Sequence, residues 1–407
     1  MNMKKYVFTI DDEIKYYTIN KFIKFLKMNK KNRISIEFSN STIAVLPSVA
    51  TIFSGILNYY EEKYKLKYEL KNPSNYLIKS RIAKPLKISE TVFRKERFIF
   101  DKVFLFESVN DTYVISKKII DYIKNNFICE SGTIEGLSWC MNEVMDNVFN
   151  HSQVGKGYFM AQLHHQTKRI SISIFDTGIG LMNSINSSNN HTVNNEEDAI
   201  RTVIMKGVTR DSNLGQGNGM WGLNQIIKNN HGYLAIMSGH TQINWDYKES
   251  NEKITINKNI PIIDDNVYGT KIDFSISFDN AFDIIKTLDD YEPESSFKLE
   301  IGEMLINEKW IKFAVTKECL DGVGTRKAGV TARNYLVNIL METTENIVID
   351  FEKCDYISSS FADEFIAKLM VDYKSYFENK RIVISNCSDF NKNMIEKAIK
   401  EREKQVL

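Results

Sequence analysis

The stretch Gly215-Gln216-Gly217-Asn218-Gly219-Met220-Trp221-Gly222-Leu223 decides the fold. Its four glycines run into an apolar segment whose spacing predicts a helix over 223–229. Backbone amides stripped of side chains at the start of a helix make a site for an anion. No Gly-Lys-Ser/Thr follows, so this is not the P-loop pattern, and it does not open near a first strand as a dinucleotide fingerprint would. Its meaning comes from what lies upstream.

Upstream stands Asp176-Thr177-Gly178-Ile179-Gly180. It ends a segment, 169–175, in which Ile170, Ile172 and Ile174 alternate with Arg169, Ser171 and Ser173, the pattern of a half-buried strand. A second strand is expected at 158–164, antiparallel to the first. Gly178 and Gly180 let the backbone turn sharply and approach a ligand. Further upstream is Asn142-Glu143-Val144-Met145-Asp146-Asn147, inside a segment with apolar residues at 134, 137, 141, 144, 145 and 148. That spacing predicts a helix over 133–150. Glu143 and Asn147 are four residues apart and therefore sit one above the other on a single face. An amide oxygen is a hard ligand suited to Mg²⁺, and a neighbouring carboxylate can orient or deprotonate an attacking hydroxyl. Between the second and third clusters, 182–214 is rich in Asn and Ser, with one helix expected at 196–205. Gly269-Thr270 precedes a further strand at 271–274.

In this order the clusters resemble the N, G1 and G2 boxes of the GHKL ATPases, the family of gyrase, the Hsp90-type chaperones, histidine kinases and MutL. The resemblance covers about residues 110–280. It implies a central Bergerat-type two-layer α/β sandwich, a mixed sheet with helices on one face, that binds ATP with Mg²⁺. By the same resemblance Glu143 is the general base and Asn147 the Mg²⁺ ligand. Asp176 accepts a hydrogen bond from the adenine amino group, beside Gly178 and Gly180. The backbone of Gly215, Gly217, Asn218, Gly219 and Gly222 holds the phosphates, Thr270 adds a hydroxyl near the adenine, and 182–214 is a lid from which Arg210 could reach the γ-phosphate. His151, four residues after Asn147, has a counterpart in the anti-sigma-factor serine kinases, the nearest branch. No helical hairpin bearing a phosphoacceptor His precedes it, so a histidine-kinase reading is disfavoured.

The whole chain bounds these readings. Its 407 residues suggest two to four domains, and 43% hydrophobic content is enough for ordinary cores. The 53 basic and 52 acidic residues nearly cancel, which argues against a global polyelectrolyte partner. Residues 63–97 are locally basic, with eleven Lys/Arg against three Glu. A solvated face is the plainer reading, contact with nucleic acid the other. No run approaches a membrane span, the first twelve residues make a poor signal peptide, and five scattered cysteines without a Cys-x-x-Cys fit a reducing cytoplasm rather than a disulfide framework or zinc site.

Both ends carry a strand-turn-helix pattern. Ile34, Ile36 and Phe38 fall on Ile347, Ile349 and Phe351 at an offset of 313, each set followed by an apolar helix, 48–61 and 361–376. This reads as an internal repeat around the ATPase module. After the second copy come a strand at 381–385 and a helix at 391–404. Before it, strands are expected at 297–301 and 310–315 and a helix at 331–341. This C-terminal order resembles a STAS-like domain, the fold of anti-sigma-factor antagonists, with 1–110 as a degenerate version. Three segments follow: 1–110, 111–288 and 289–407, the last boundary near Pro293. The fold class is thus a multidomain α+β and α/β chain with STAS-like units flanking the sandwich. Ser358, Ser359 and Ser360 occupy the turn where STAS antagonists carry a phosphorylated serine. Here Ser358 and Phe361 stand in place of that pattern's Asp and Gly, and a serine triplet before a helix is also an N-cap.

Two functions stay open on these residues: a serine/threonine kinase of the anti-sigma type, and an ATP-driven conformational switch. Either is a regulatory, partner-switching protein whose STAS-like units meet a protein partner. Homodimerisation is an expectation by analogy with related modules. The alternative is a nucleic-acid ATPase of the gyrase or MutL type, supported by the basic stretch and opposed by a C-terminal region that does not read as a transducer domain.

Overall fold

A computed structural model describes residues 5–11, 14–39, 45–88, 99–187, 191–207, 218–248 and 252–406. Gly215, Gly217 and Arg210 lie outside the described residues. The chain is a mixed α/β multidomain protein. By compactness it divides into two units, where three segments were expected. The first unit comprises 1–118, 139–277 and 284–291, the second 119–138, 278–283 and 292–407. No described helix is long and apolar enough to cross a membrane.

In the first unit, strands β1 (Lys5–Ile10), β2 (Arg33–Phe38) and β3 (Lys67–Lys71) form a parallel sheet in that order. Helices Tyr16–Asn29 and Pro47–Tyr64 make the crossovers. Phe8, Ile10, Ile34, Ile36 and Phe38 are buried, and Phe22 stacks on Phe53 at 4.7 Å between ring centroids. Pro47 opens the second helix at a position whose N–H has no helical partner in any case. Lys65 in the left-handed conformation ends it, donating its N–H to the Tyr60 carbonyl.

The larger sheet of this unit has eight strands. To those at 157–164 and 169–176 it adds β4 (Leu86–Lys87), β5 (Phe104–Phe106), β8 (Tyr233–Ser238), β9 (Thr241–Asp246), β10 (Lys253–Asn257) and β11 (Thr270–Ser277). With β6 as Gly157–His164 and β7 as Arg169–Asp176, the order is β10-β9-β8-β11-β7-β6-β5-β4. β4 and β5 are parallel and the other pairs antiparallel, so the sheet is mixed. Helices were expected on one face only. Instead the sheet is covered on both, because helix Pro47–Tyr64 is buried on more than one side over Val49–Leu57. One side packs on the small parallel sheet. The other lies on β6 and β7, where Thr51 Oγ1 meets Ser173 Oγ at 2.8 Å and Gly55 fits against the rings of Phe175 and Tyr158. This second cover is why Ser173 and Phe175, on the face opposite the isoleucines, are also buried.

The second unit holds the sheet β12 (Leu305–Asn307), β13 (Trp310–Ala314), β14 (Asn346–Asp350) and β15 (Ile382–Ser385), in that order. β13, β14 and β15 are parallel, like the three strands at the other end of the chain, and β14 holds the central place that β2 holds there. The segment 297–301 is not a strand. It belongs to helix Ser296–Glu303, capped by Ser295 Oγ, which accepts from Lys298 N at 3.0 Å. Phe297 and Ile301, four apart, are buried while Leu299 is exposed, so the helical period wins over the alternating one. The helix expected over 361–376 is also interrupted. It runs Ser359–Ala362, makes one π-helical turn at Asp363–Ala367, resumes over Lys368–Asp372 and breaks at Tyr373. At the π turn the Glu364 carbonyl accepts from Arg333 Nη1 at 3.2 Å.

Candidate functional site

A cavity of about 480 Å³ lies in the first unit, a volume in the usual range for small-ligand pockets. One wall is the helix Thr133–His151, whose residues from Trp139 onward belong to this unit. It contributes Trp139, Glu143, Asp146 and Asn147 at helical spacing. A second wall is the sheet, where Asp176 at the end of β7 pairs in register with Thr270 at the start of β11. A third is the start of helix Gly219–Asn229, with Asn218, Gly219 and Trp221. Gly180, Leu181 and Ser184 close it near the helix Leu181–Asn186.

Of the sequence candidates, Glu143, Asn147, Asp176, Gly180, Asn218, Gly219 and Thr270 therefore line one cavity. Gly178 and Gly222 stand just behind it and are needed for close packing. A methyl on Gly178 would come 2.7 Å from both Asp176 Oδ1 and Ser152 Cβ, and one on Gly222 would overlap the ring of Trp139. Gly180 has φ of +78°, which excludes most side chains. Ser358, Ser359 and Ser360 belong to the second unit and do not line the cavity. Ser358 caps its helix, its Oγ accepting from Phe361 N at 3.1 Å and lying 3.2 Å from Ser360 Oγ, while Ser359 is exposed. The basic stretch forms no uniform patch. Lys63 pairs with Asp264, Lys71 with Glu37 and Lys87 with Glu107, and residues 89–98 lie outside the described residues.

The electrostatics of the cavity follow from burial. Asp176 is 6% exposed, and desolvation pushes its pKa up to about 7, against the N–H groups of Gly178 and Thr270 that favour the anion. Gly178 N donates to Asp176 Oδ1 at 2.8 Å. Glu143 is also pushed up to about 7, first by burial and then by the like charge of Asp146 one turn on. A carboxyl poised near neutrality is what a general base or acid requires. Asn147 has a buried amide nitrogen without a partner among the described residues. Such an orphan is expensive unless a ligand group completes it. No cluster of three or more His, Cys, Asp or Glu able to hold a metal occurs among the described residues, so a cation here would rest on the Asn147 amide and on ligand oxygens.

Sequence reasoning gave no role to Trp139, Trp221, Leu288 and Tyr291, which contribute to the apolar part of the wall beside Ile174 and Ile272. Trp139 was within reach: it is four residues before Glu143, so the same i, i+4 argument places it on the same face. Leu288 and Tyr291 had no local signal, because they arrive from a separate segment at 284–291.

Residues 331–391 match the model of the STAS-like domain of unknown function DUF4325. This stretch runs from within the helix Arg326–Glu342 through β14 and β15 to the start of helix Asp389–Val406. The second unit thus contains a STAS-like domain. No curated protein matches the chain. Among solved structures, the 43K ATPase domain of Thermus thermophilus gyrase B in complex with an aminocoumarin is similar at 13% identity, over 40% of this chain and 37% of that one, with a TM-score of 0.19. The match spans little more than a third of the gyrase chain, and a likeness that weak carries no argument about activity.

Proposed function

We propose that this protein binds Mg·ATP in the cavity of the first unit as a GHKL-type ATPase module, and that it is a regulatory switch whose STAS-like domain engages a protein partner. The observation that carries this reading is the convergence of Glu143 and Asn147 from one helix, Asp176 from a strand end and Gly219 from a second helix start on a single cavity. Asp176 and Thr270 would hold the adenine, with Gly178 and Gly180 allowing close approach. The amides near Gly219, at the start of an eleven-residue helix, would face the phosphates, and we assign the backbone of Gly215 and Gly217 to the same ligand. Asn147 would hold Mg²⁺, which when bound neutralises phosphate charge. Glu143 would orient water and take its proton.

A kinase version is favoured by one feature, the exposed Ser359 at the start of a helix in the STAS-like domain. Against it, Ser358 is already spent as a cap. Titration calorimetry of the full chain with ATP and Mg²⁺ tests the first claim: saturable binding is expected, and a folded protein without uptake overturns it. Incubation with γ-labelled ATP then separates the versions. The switch predicts free phosphate and an unlabelled chain, whereas label on Ser359 or on an added STAS partner establishes the kinase.

A further inference from the structure

Helix Arg326–Glu342 of the STAS-like domain carries three polar residues at a spacing of four: Asn334, Asn338 and Glu342. At that spacing they form one row along the helix. Asn334 is 5% exposed and Asn338 fully buried, in a helix otherwise buried through Ala328, Ala332, Leu336 and Ile339. Buried amides are costly unless their hydrogen bonds are made.

The row makes these bonds with one short piece of backbone. Asn334 Nδ2 donates to Asn125 O at 3.3 Å. Asn338 Nδ2 donates to Lys124 O and to Phe127 O, both at 2.8 Å, and its Oδ1 accepts from Cys129 N at 2.8 Å. The Glu342 carboxyl accepts from Gly132 N, 3.2 Å from each oxygen. The row therefore binds, in sequence, the end of helix Val109–Asn126, the connector, and the entry to helix Thr133–His151. All of these residues are in the second unit. Helix Thr133–His151 then continues unbroken out of that unit into the first, carrying Glu143 and Asn147. Gly132 and Glu143 are eleven residues apart, about 16 Å along a helix. A side-chain row that merely filled a core would not need to cap the helix that bears the site.

We infer that Asn338 and Glu342 are positioning residues for Glu143 and Asn147, and that this row is the element through which the STAS-like domain and the nucleotide cavity are coupled. The inference rests on the proposed reading of the cavity. A partner that displaces helix Arg326–Glu342 moves the anchored end of the site helix. By linkage, a ligand that fixes the site helix must bias the row by the same free energy. The row bonds directly to the entry of the site helix, so no longer pathway is required.

Hydrogen exchange on the full chain tests this without relying on nucleotide. In Asn338→Ala, exchange is expected to rise at least tenfold across 139–151 while β14 keeps its protection. Glu342→Gln, which retains an acceptor for Gly132 N, should stay near the parent. Adding Mg·ATP should slow exchange at 334–342 in the parent and not in Asn338→Ala, and affinity in that variant should fall about tenfold. Loosening confined to 124–134, with 139–151 and affinity unchanged, overturns the inference. Should Asn338→Ala fail to fold, Asn334→Ala and Glu342→Ala are read by the same criteria. A parent that binds no ATP sinks the functional reading alone, since the exchange pattern of the variants still decides the positioning role.

Discussion

The carboxylate of Glu143 fills the space that a side chain on Gly219 would need: a methyl built on Gly219 overlaps Glu143 Oε2 and lies 3.2 Å from its Cδ. Two residues 76 positions apart in sequence thus share one place in the cavity wall. Gly219→Ala must push the carboxylate aside. Because alanine is favoured over glycine in a helix by about 1 kcal/mol, the fold should lose little. The expected result is an ATP turnover at least about tenfold lower, equivalent to roughly 1.4 kcal/mol of barrier, with a melting temperature near that of the parent. Full turnover in this variant would remove Glu143 from the mechanism.

Burial raises the carboxyls of Glu143, Asp176 and Glu342 furthest, and the sign of their effect on stability is fixed. Glu143 and Asp176 stand at about 7 and Glu342 at about 8, against 4.5 for an ordinary Glu and 3.8 for an ordinary Asp. Each binds its proton more tightly folded than unfolded. Their contribution is therefore full below the unfolded values and is lost as pH rises through the folded ones. Asp264 acts the other way. Despite burial, its bonds to the hydroxyl of Tyr64 and the ammonium of Lys63 hold it at about 2, so its contribution is lost only in strong acid. Asp176→Asn should gain stability relative to the parent as pH rises from about 4 to about 7 and level off above, seen as a difference in melting temperature that grows across that window. A constant difference would mean that Asp176 is not desolvated. The same variant should bind ATP more weakly, by about 1–3 kcal/mol for a bond to a charged acceptor.

Much of this site could be read from the chain because its parts are local. The helix over 133–150 is found at Thr133–His151, and Glu143 and Asn147 share a face because four residues make about one turn. Asp176 ends β7 where alternation stops. What could not be read depends on contacts distant in sequence. The apolar run Val49–Leu57 of helix Pro47–Tyr64 announces burial on more than one side without saying which sheet provides the second. The segment at 297–301 satisfies both periods, and only its neighbours choose between them. Leu288 and Tyr291 reach the cavity from a segment with no motif.

Asn147 offers a separate handle on the proposed cation. Its amide nitrogen is buried without a partner among the described residues, so removing that nitrogen breaks no protein hydrogen bond. Asn147→Ala should leave unfolding midpoints within about 0.5 kcal/mol of the parent. It should, however, erase the difference in ATP affinity measured with and without Mg²⁺. Asn147→Asp, which keeps an oxygen and adds a charge, should preserve the difference. If Asn147→Ala shows an undiminished magnesium effect, the cation is held elsewhere.

The last prediction concerns the second cover of the large sheet. A methyl on Gly55 would lie 2.5 Å from Cε1 of Phe175 and 3.1 Å from Cδ2 of Tyr158. Both rings are fully buried and cannot swing away. Two effects oppose each other in Gly55→Ala: helix propensity favours alanine by about 1 kcal/mol, and overpacking costs about 1–3 kcal/mol. With two fully buried aromatic rings in the way, overpacking outweighs propensity, and the unfolding free energy in urea should fall by up to about 2 kcal/mol. The small parallel sheet and the large sheet share this helix, so their loss should be one transition followed alike by tryptophan fluorescence and far-ultraviolet dichroism. If Gly55→Ala instead raises the midpoint, or if the N-terminal 118 residues melt separately, helix Pro47–Tyr64 does not rest on β6 and β7, and the N-terminal segment is a free domain beside the large sheet.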